Sequence, residues 1–188
     1  MLNRRFVAPL AAIALTSGLV LAGCQLLPGS VGNPTPTPSA SASASSEPIP
    51  EADLEACEHL NNGPSTAVTA SLTAQGAPQV SEGHKRYDIT LIADNAQYTG
   101  KVLYNSKEEA DYVFFFDQDV TLSVRDAEDA VVEIEATASF SPACGTVKAR
   151  YEVPLGVGLY SLHLGPTAAS TVSLVVEESA HEEHDHAH

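Results

Sequence analysis

Four histidines crowd one end of the chain, in AHEEHDHAH at residues 180–188. His181, His184, His186 and His188 alternate there with Glu182, Glu183, Asp185 and alanine. Imidazole nitrogens and carboxylate oxygens are donors suited to Zn²⁺, Cu²⁺ and Ni²⁺. An extended H-x-H-x-H sets alternate side chains on one side, and a curling segment presents three nitrogens to one ion. The neighbouring acids lower the free energy of bringing in a dication. Nothing preorganises so polar a segment, so its affinity should be modest, its metal selectivity poor and its exchange fast. A solvated acidic tail and a proton buffer are the competing readings.

Three more histidines, His59, His84 and His163, lie inside the part of the chain that reads as folded. Gathered at one end of a domain they would form a firmer site with a position open to water. Their spacing does not bring them together, and scattered surface histidines are the plainer reading. Cys57 and His59 form C-x-H, which lacks the paired spacing of a thiolate zinc site. Two acidic turns, DQD at 117–119 and RDAEDA at 125–130, hold carboxylates for Ca²⁺ but not at EF-hand spacing, and read as solvated turns. There is no G-x-S-x-G, no H-E-x-x-H and no phosphate-binding glycine loop. The expectation is a protein that is not an enzyme.

Charge narrows the partners. The chain has 24 acidic and 9 basic residues, a formal net charge of -15. Such a surface repels nucleic-acid phosphates and attracts cations.

The elements that must position these groups read as strands. STAVTASLTA (65–74), RYDITLIAD (86–94), QYTGKVLY (97–104), DYVFFFD (111–117) and DVTLSVRD (119–126) are short apolar runs between turn signals. VVEIEATASF (131–140), TVKARYEV (146–153), LYSLHLG (159–165) and STVSLVVEE (170–178) continue the set. The first run puts Val68, Ala70 and Leu72 on one face. DYVFFFD is apolar on both faces and predicts a central strand. Along LYSLHLG, His163 should face outward beside Ser161. About nine strands and no long amphipathic helix predict an all-β fold, an antiparallel β-sandwich of immunoglobulin-like Greek-key or jelly-roll type. One helical turn is expected near residues 50–60, with Leu54, Cys57 and Leu60 on one face. The segment from 24 to 50, rich in Pro, Ser and Ala, cannot bury a core and predicts a disordered tether. Its root-mean-square span as a loose coil is roughly 28 Å.

Residues 1–24 read MLNRRFVAPLAAIALTSGLVLAGC. Arg4 and Arg5 precede an apolar run that stops at Leu21-Ala22-Gly23-Cys24. This resembles the bacterial lipoprotein signal, whose lipobox is a leucine, two small residues and a cysteine. The resemblance implies removal of residues 1–23, lipidation of Cys24 and anchoring in a membrane outside the cytoplasm. Gln25 rather than Asp after the cysteine implies the outer membrane where the envelope has two. The domain then spans 51–178 and the tail 179–188. With Cys24 lipidated, Cys57 and Cys144 remain as a pair in an oxidising compartment. A bond between them closes a loop of about 86 residues, worth roughly 4 to 5 kcal/mol on the loop-entropy model.

Leu155-Gly156-Val157-Gly158-Leu159-Tyr160 resembles the tyrosine corner of immunoglobulin-like sandwiches. That resemblance implies a hydrogen bond from Tyr160 back to nearby backbone. The favoured function is a membrane-anchored envelope lipoprotein that binds zinc or copper through the tail and the domain histidines. Its partners would be the membrane, through the lipid, and a metal-handling or envelope protein. The rival is a non-catalytic surface module that binds a protein or glycan.

Overall fold

The computed structural model describes residues 48–179. The signal segment, nearly all of the tether and the tail histidines His181, His184, His186 and His188 lie outside them. One helix and twelve strands follow in chain order: α1 Glu51–Asn62, β1 Ser65–Thr69, β2 Gln79–Val80, β3 Arg86–Thr90, β4 Ile92–Asp94, β5 Gln97–Ser106, β6 Ala110–Phe116, β7 Leu122–Arg125, β8 Val131–Val132, β9 Ala136–Ala138, β10 Ala149–Leu155, β11 Gly158–Thr167 and β12 Thr171–Glu178.

The strands form a β-sandwich. One sheet has the order β1-β3-β12-β6-β10-β9, and the other β2-β5-β11-β7-β8 with β4 beside β5. The inner faces of both sheets share a core that includes Tyr104, Phe114, Phe116, Leu162, Leu164 and Leu174. The sheets are mixed rather than wholly antiparallel, because β1–β3 and β2–β5 run parallel. The chain leaves β1, crosses to the second sheet as β2 and returns as β3. Such a crossover, not a hairpin, is what delivers a parallel neighbour.

Nine expected strands become twelve because β2 forms outside every expected run, the run at 86–94 divides into β3 and β4, and the run at 131–140 divides into β8 and β9. The run at 65–74 stops being β1 at Thr69, and Ser71 makes only an isolated bridge to Lys101 of the second sheet. Leu72 accordingly lies 57% exposed instead of facing the core. The run at 131–140 splits into β8 and β9, which belong to opposite sheets.

β6 is the central strand its composition predicts, paired with β10 and β12. Tyr112, Phe114 and Phe116 enter the inner core, while Val113 and Phe115 point the other way. A second apolar face needs its own cover. Helix α1 supplies it, with Ala52, Ala56, Cys57 and Leu60 packed over Val113, Phe115, Val147 and Val175. Leu54, expected on this face, is 51% exposed. The buried position beside it goes to Asp53, which accepts from Ser141 Oγ (2.6 Å) and Arg150 Nε (3.3 Å). A disulfide joins Cys57 to Cys144 with Cα atoms 5.9 Å apart, so the helix is fastened covalently to the β9–β10 connection.

The Tyr160 hydroxyl donates to the Gly156 carbonyl at 3.1 Å, where the chain passes from β10 in one sheet to β11 in the other. Two carboxylates of the acidic turns are taken by backbone amides. Asp117 accepts from the Ser173 amide at 2.6 Å. Asp126 accepts from the amides of Glu128 and Ala130 at 3.0 and 2.8 Å.

Gly165 sits in β11 where the register with β5 shifts, at φ +99°. A Cβ there would lie 2.5 Å from the Tyr98 carbonyl oxygen. Gly165→Ala is expected to destabilise the domain by about 2 kcal/mol or more, read from urea unfolding midpoints. An unchanged midpoint would contradict this register.

Candidate metal centre

The helix that covers the first sheet also brings side chains together for chemistry. His59 lies in its last turn, with Glu55 one turn earlier. The helix ends at Gly63, whose φ of +73° turns the chain toward β1. His59 Nδ1 lies 3.4 Å from the Gly63 carbonyl oxygen. A proton on Nδ1 donates to that oxygen, fixes the ring and leaves the Nε2 lone pair free.

His84 comes from the β2–β3 loop, at φ +52°. Both sides of the loop are held. Glu82 accepts from the Tyr104 hydroxyl at 2.7 Å and pairs with Lys107 at 3.4 Å. Burial raises the Glu82 pKa, but these bonds outweigh it and leave the group lower than usual. Ser81 bonds the Tyr87 hydroxyl through its amide (3.2 Å) and its hydroxyl (3.0 Å). On the far side, Arg86 donates through a terminal guanidinium nitrogen to the Leu60 carbonyl at 2.7 Å and pairs with Asp88 at 2.8 Å. Arg86 thus bolts the loop that carries His84 to the helix end that carries His59. The two rings lie with centroids 5.5 Å apart, tilted by 58°.

Glu177 completes the group from β12. Val172, Leu174 and Val176 point into the sandwich, so Val175 and Glu177 point at the helix. Glu177 is only 5% exposed, and its Oε1 has no hydrogen-bond partner among the described residues. Burial first, and the nearby Glu55 carboxylate second, push its pKa up to about 7. One donor atom each from His59, His84 and Glu177 lies within 4.8 Å of the others. A tetrahedral ion with bonds of about 2.0 to 2.1 Å needs donors about 3.3 Å apart. His84 is exposed, and binding an ion would require all three donors to draw closer together.

Two imidazoles and a carboxylate suit Zn²⁺ or Cu²⁺. Ca²⁺ and Mg²⁺ require mostly oxygen donors. Cu⁺ favours thiolate or thioether, yet the chain's one methionine is Met1, and Cys57 and Cys144 are joined to each other. Three protein donors leave a fourth position for an exchangeable ligand. A buried acceptor without a partner is costly, and either a proton or a cation at this position would offset that cost.

The other expected histidine goes elsewhere. His163 lies on β11 in the opposite sheet, with Nε2 2.6 Å from Ser161 Oγ, facing away from the core as its alternation predicts. Burial, then Lys101 and Arg125, hold its pKa below the usual value. It is not part of the group formed by His59 and His84. Glu177 escaped the sequence reading. Its signal was an acid that follows Val175 at strand spacing, on a face that only a docked helix makes interior.

No family model matches the chain, and no curated protein matches its sequence. Among solved structures, the chain is similar to the pre-peptidase C-terminal domain of collagenase from Bacillus anthracis, with 15% identity and a TM-score of 0.37 over 62% of this chain and 100% of that one.

Proposed function

We propose that this chain is a lipid-anchored protein of the cell envelope that binds Zn²⁺ or Cu²⁺ at His59, His84 and Glu177. The observation that carries the reading is the buried Glu177 carboxylate, whose Oε1 has no hydrogen-bond partner among the described residues, standing with His59 and His84 so that one donor atom of each lies within 4.8 Å of the others. The ion would be held by those three residues, with the His-rich tail gathering ions for them. Cleavage ahead of Cys24, lipidation of its thiol and an outward-facing location belong to the same proposal. The Cys57–Cys144 bond supports an oxidising compartment.

Titration calorimetry of the soluble chain, residues 25–188, tests the site. One Zn²⁺ or Cu²⁺ should bind at micromolar affinity or tighter, above weaker binding by the tail. His59→Ala and His84→Ala should each weaken that tight step by 10-fold or more, while the metal-free melting temperature moves little. Zinc at 100 times its Kd should add about 2.7 kcal/mol of stability. Unchanged binding in both variants would remove the site. Absence of heat with either metal would return the weight to a non-catalytic module that binds a protein or glycan.

A further inference from the structure

Resting on that reading, we infer that Glu55 is the fourth protein ligand of the site: its carboxylate takes the position that His59, His84 and Glu177 leave open on the ion. The way α1 lies on its sheet puts this acid in place. Ala52, Ala56 and Leu60 form the stripe that packs onto the strands. Asp53 and Cys57 fall on one flank of that stripe, where Asp53 pairs with Arg150 and Cys57 is bonded to Cys144. The opposite flank holds Glu55 and His59, four residues and about one turn apart, and both are half-buried. Side chains at this spacing are neighbours, with Cβ atoms about 5 to 6 Å apart. An ion on His59 is therefore within reach of Glu55.

The buried carboxylate of Glu177 feels this neighbour. The Glu55 charge ranks second only to burial in raising the Glu177 pKa, so the two acids stand close with no cation between them. None of the ion pairs among the described residues involves Glu55. It is not one of the three residues grouped within 4.8 Å, so its side chain has to swing inward as the other donors draw together. No salt bridge has to break for that to happen.

Charge favours the move. Two neutral imidazoles and one carboxylate leave a bound dication with one positive charge uncompensated, and a second carboxylate brings the site to neutrality. In a partly buried place an uncompensated charge is costly. Two imidazole nitrogens and two carboxylate oxygens also complete the tetrahedron that zinc takes in a closed site. Four protein donors hold an ion without leaving a position for substrate or water. The ion then braces α1, the β2–β3 loop and β12 against one another and is not a reagent.

The test uses the soluble chain, residues 25–188, as wild type and as Glu55→Gln, Glu55→Ala, Glu58→Gln and His59→Ala. Glu58 is exposed on the same helix, so its variant removes one charge and no donor. Each form is titrated with Zn²⁺ against a chromophoric chelator and with Co²⁺ by visible absorption. Both Glu55 variants should hold the tight ion about 10-fold or more less strongly than wild type, and their Co²⁺ bands should shift as water replaces the carboxylate. Glu58→Gln should stay within about twofold of wild type, with unchanged bands. Glu55 variants that match wild type, beside a His59→Ala chain that loses the tight ion, would overturn the fourth ligand and leave the three-residue site standing. Weaker binding with unchanged Co²⁺ bands, or an equal loss in Glu58→Gln, would also overturn it, because Glu55 would then act from beyond a bound water or by charge alone. A His59→Ala chain equal to wild type, or a wild type with no tight ion, would remove the three-residue site and the fourth ligand with it.

Discussion

Glu177→Gln is expected to make the metal-free protein more stable at pH 8 and unable to hold its tight zinc ion. The two effects share one cause. In the fold, burial and Glu55 push the Glu177 pKa from 4.5 up to about 7. The folded state therefore holds that proton more firmly than the unfolded chain does. Below pH 4.5 both states are protonated and the group costs nothing. Between 4.5 and 7 the unfolded chain ionises first, so stability falls as pH rises. Above 7 the full cost is present, on the order of 3 kcal/mol. His59 and His84 face the carboxylate from one side and Glu55 from the helix, so this holds for the protein without metal. Glutamine keeps the shape and removes the charge. Urea unfolding in a chelator should show a gain of about 1 to 3 kcal/mol at pH 8 that shrinks toward zero at pH 4.5. Loss of stability at pH 8, or a gain that does not depend on pH, would show that Glu177 is not an ionised, partnerless group. Zinc should reverse the ranking at pH 8, because only the wild type gains from it.

Removing the disulfide should have the other large effect. Cys57→Ser with Cys144→Ser frees a link across 87 residues, which should lower stability by about 2 to 5 kcal/mol. The loss should not be confined to unfolding. The bond fastens α1 to the sheet two residues before His59, so the variant's tight zinc step should weaken even where the domain is still folded. Denaturation without reductant measures the first effect, and zinc titration in the absence of urea measures the second. A variant that loses stability but binds zinc as before would show that packing alone, through Ala56 and Leu60, places the histidine.

How much was visible in the residues themselves varied with range. The fold class followed from alternation and turn spacing, and β6 announced itself by being apolar on both faces. The need for α1 as a cover was implicit there. The crossings between sheets were not readable, because nothing in STAVTASLTA or VVEIEATASF marks where a strand leaves one layer for the other. The site was half legible. Residue type singled out His59 and His84, but their meeting depends on Arg86 reaching the Leu60 carbonyl 26 positions away. His163 looked equivalent by type and lies on the wrong sheet. Glu177 was hidden because its neighbours make it look like the wet end of a strand, and only the docked helix turns that end into an interior.

The position of Cys57 within α1 also decides how force travels through the molecule. Pull on the chain ahead of Pro50 and the load enters the helix at its first turn. It reaches the sulfur of Cys57 before it reaches His59, and the covalent link diverts it into the β9–β10 connection and the central strands. The last turn of the helix is thus off the line of tension. Tension applied there would leave the end of α1 that carries His59 still.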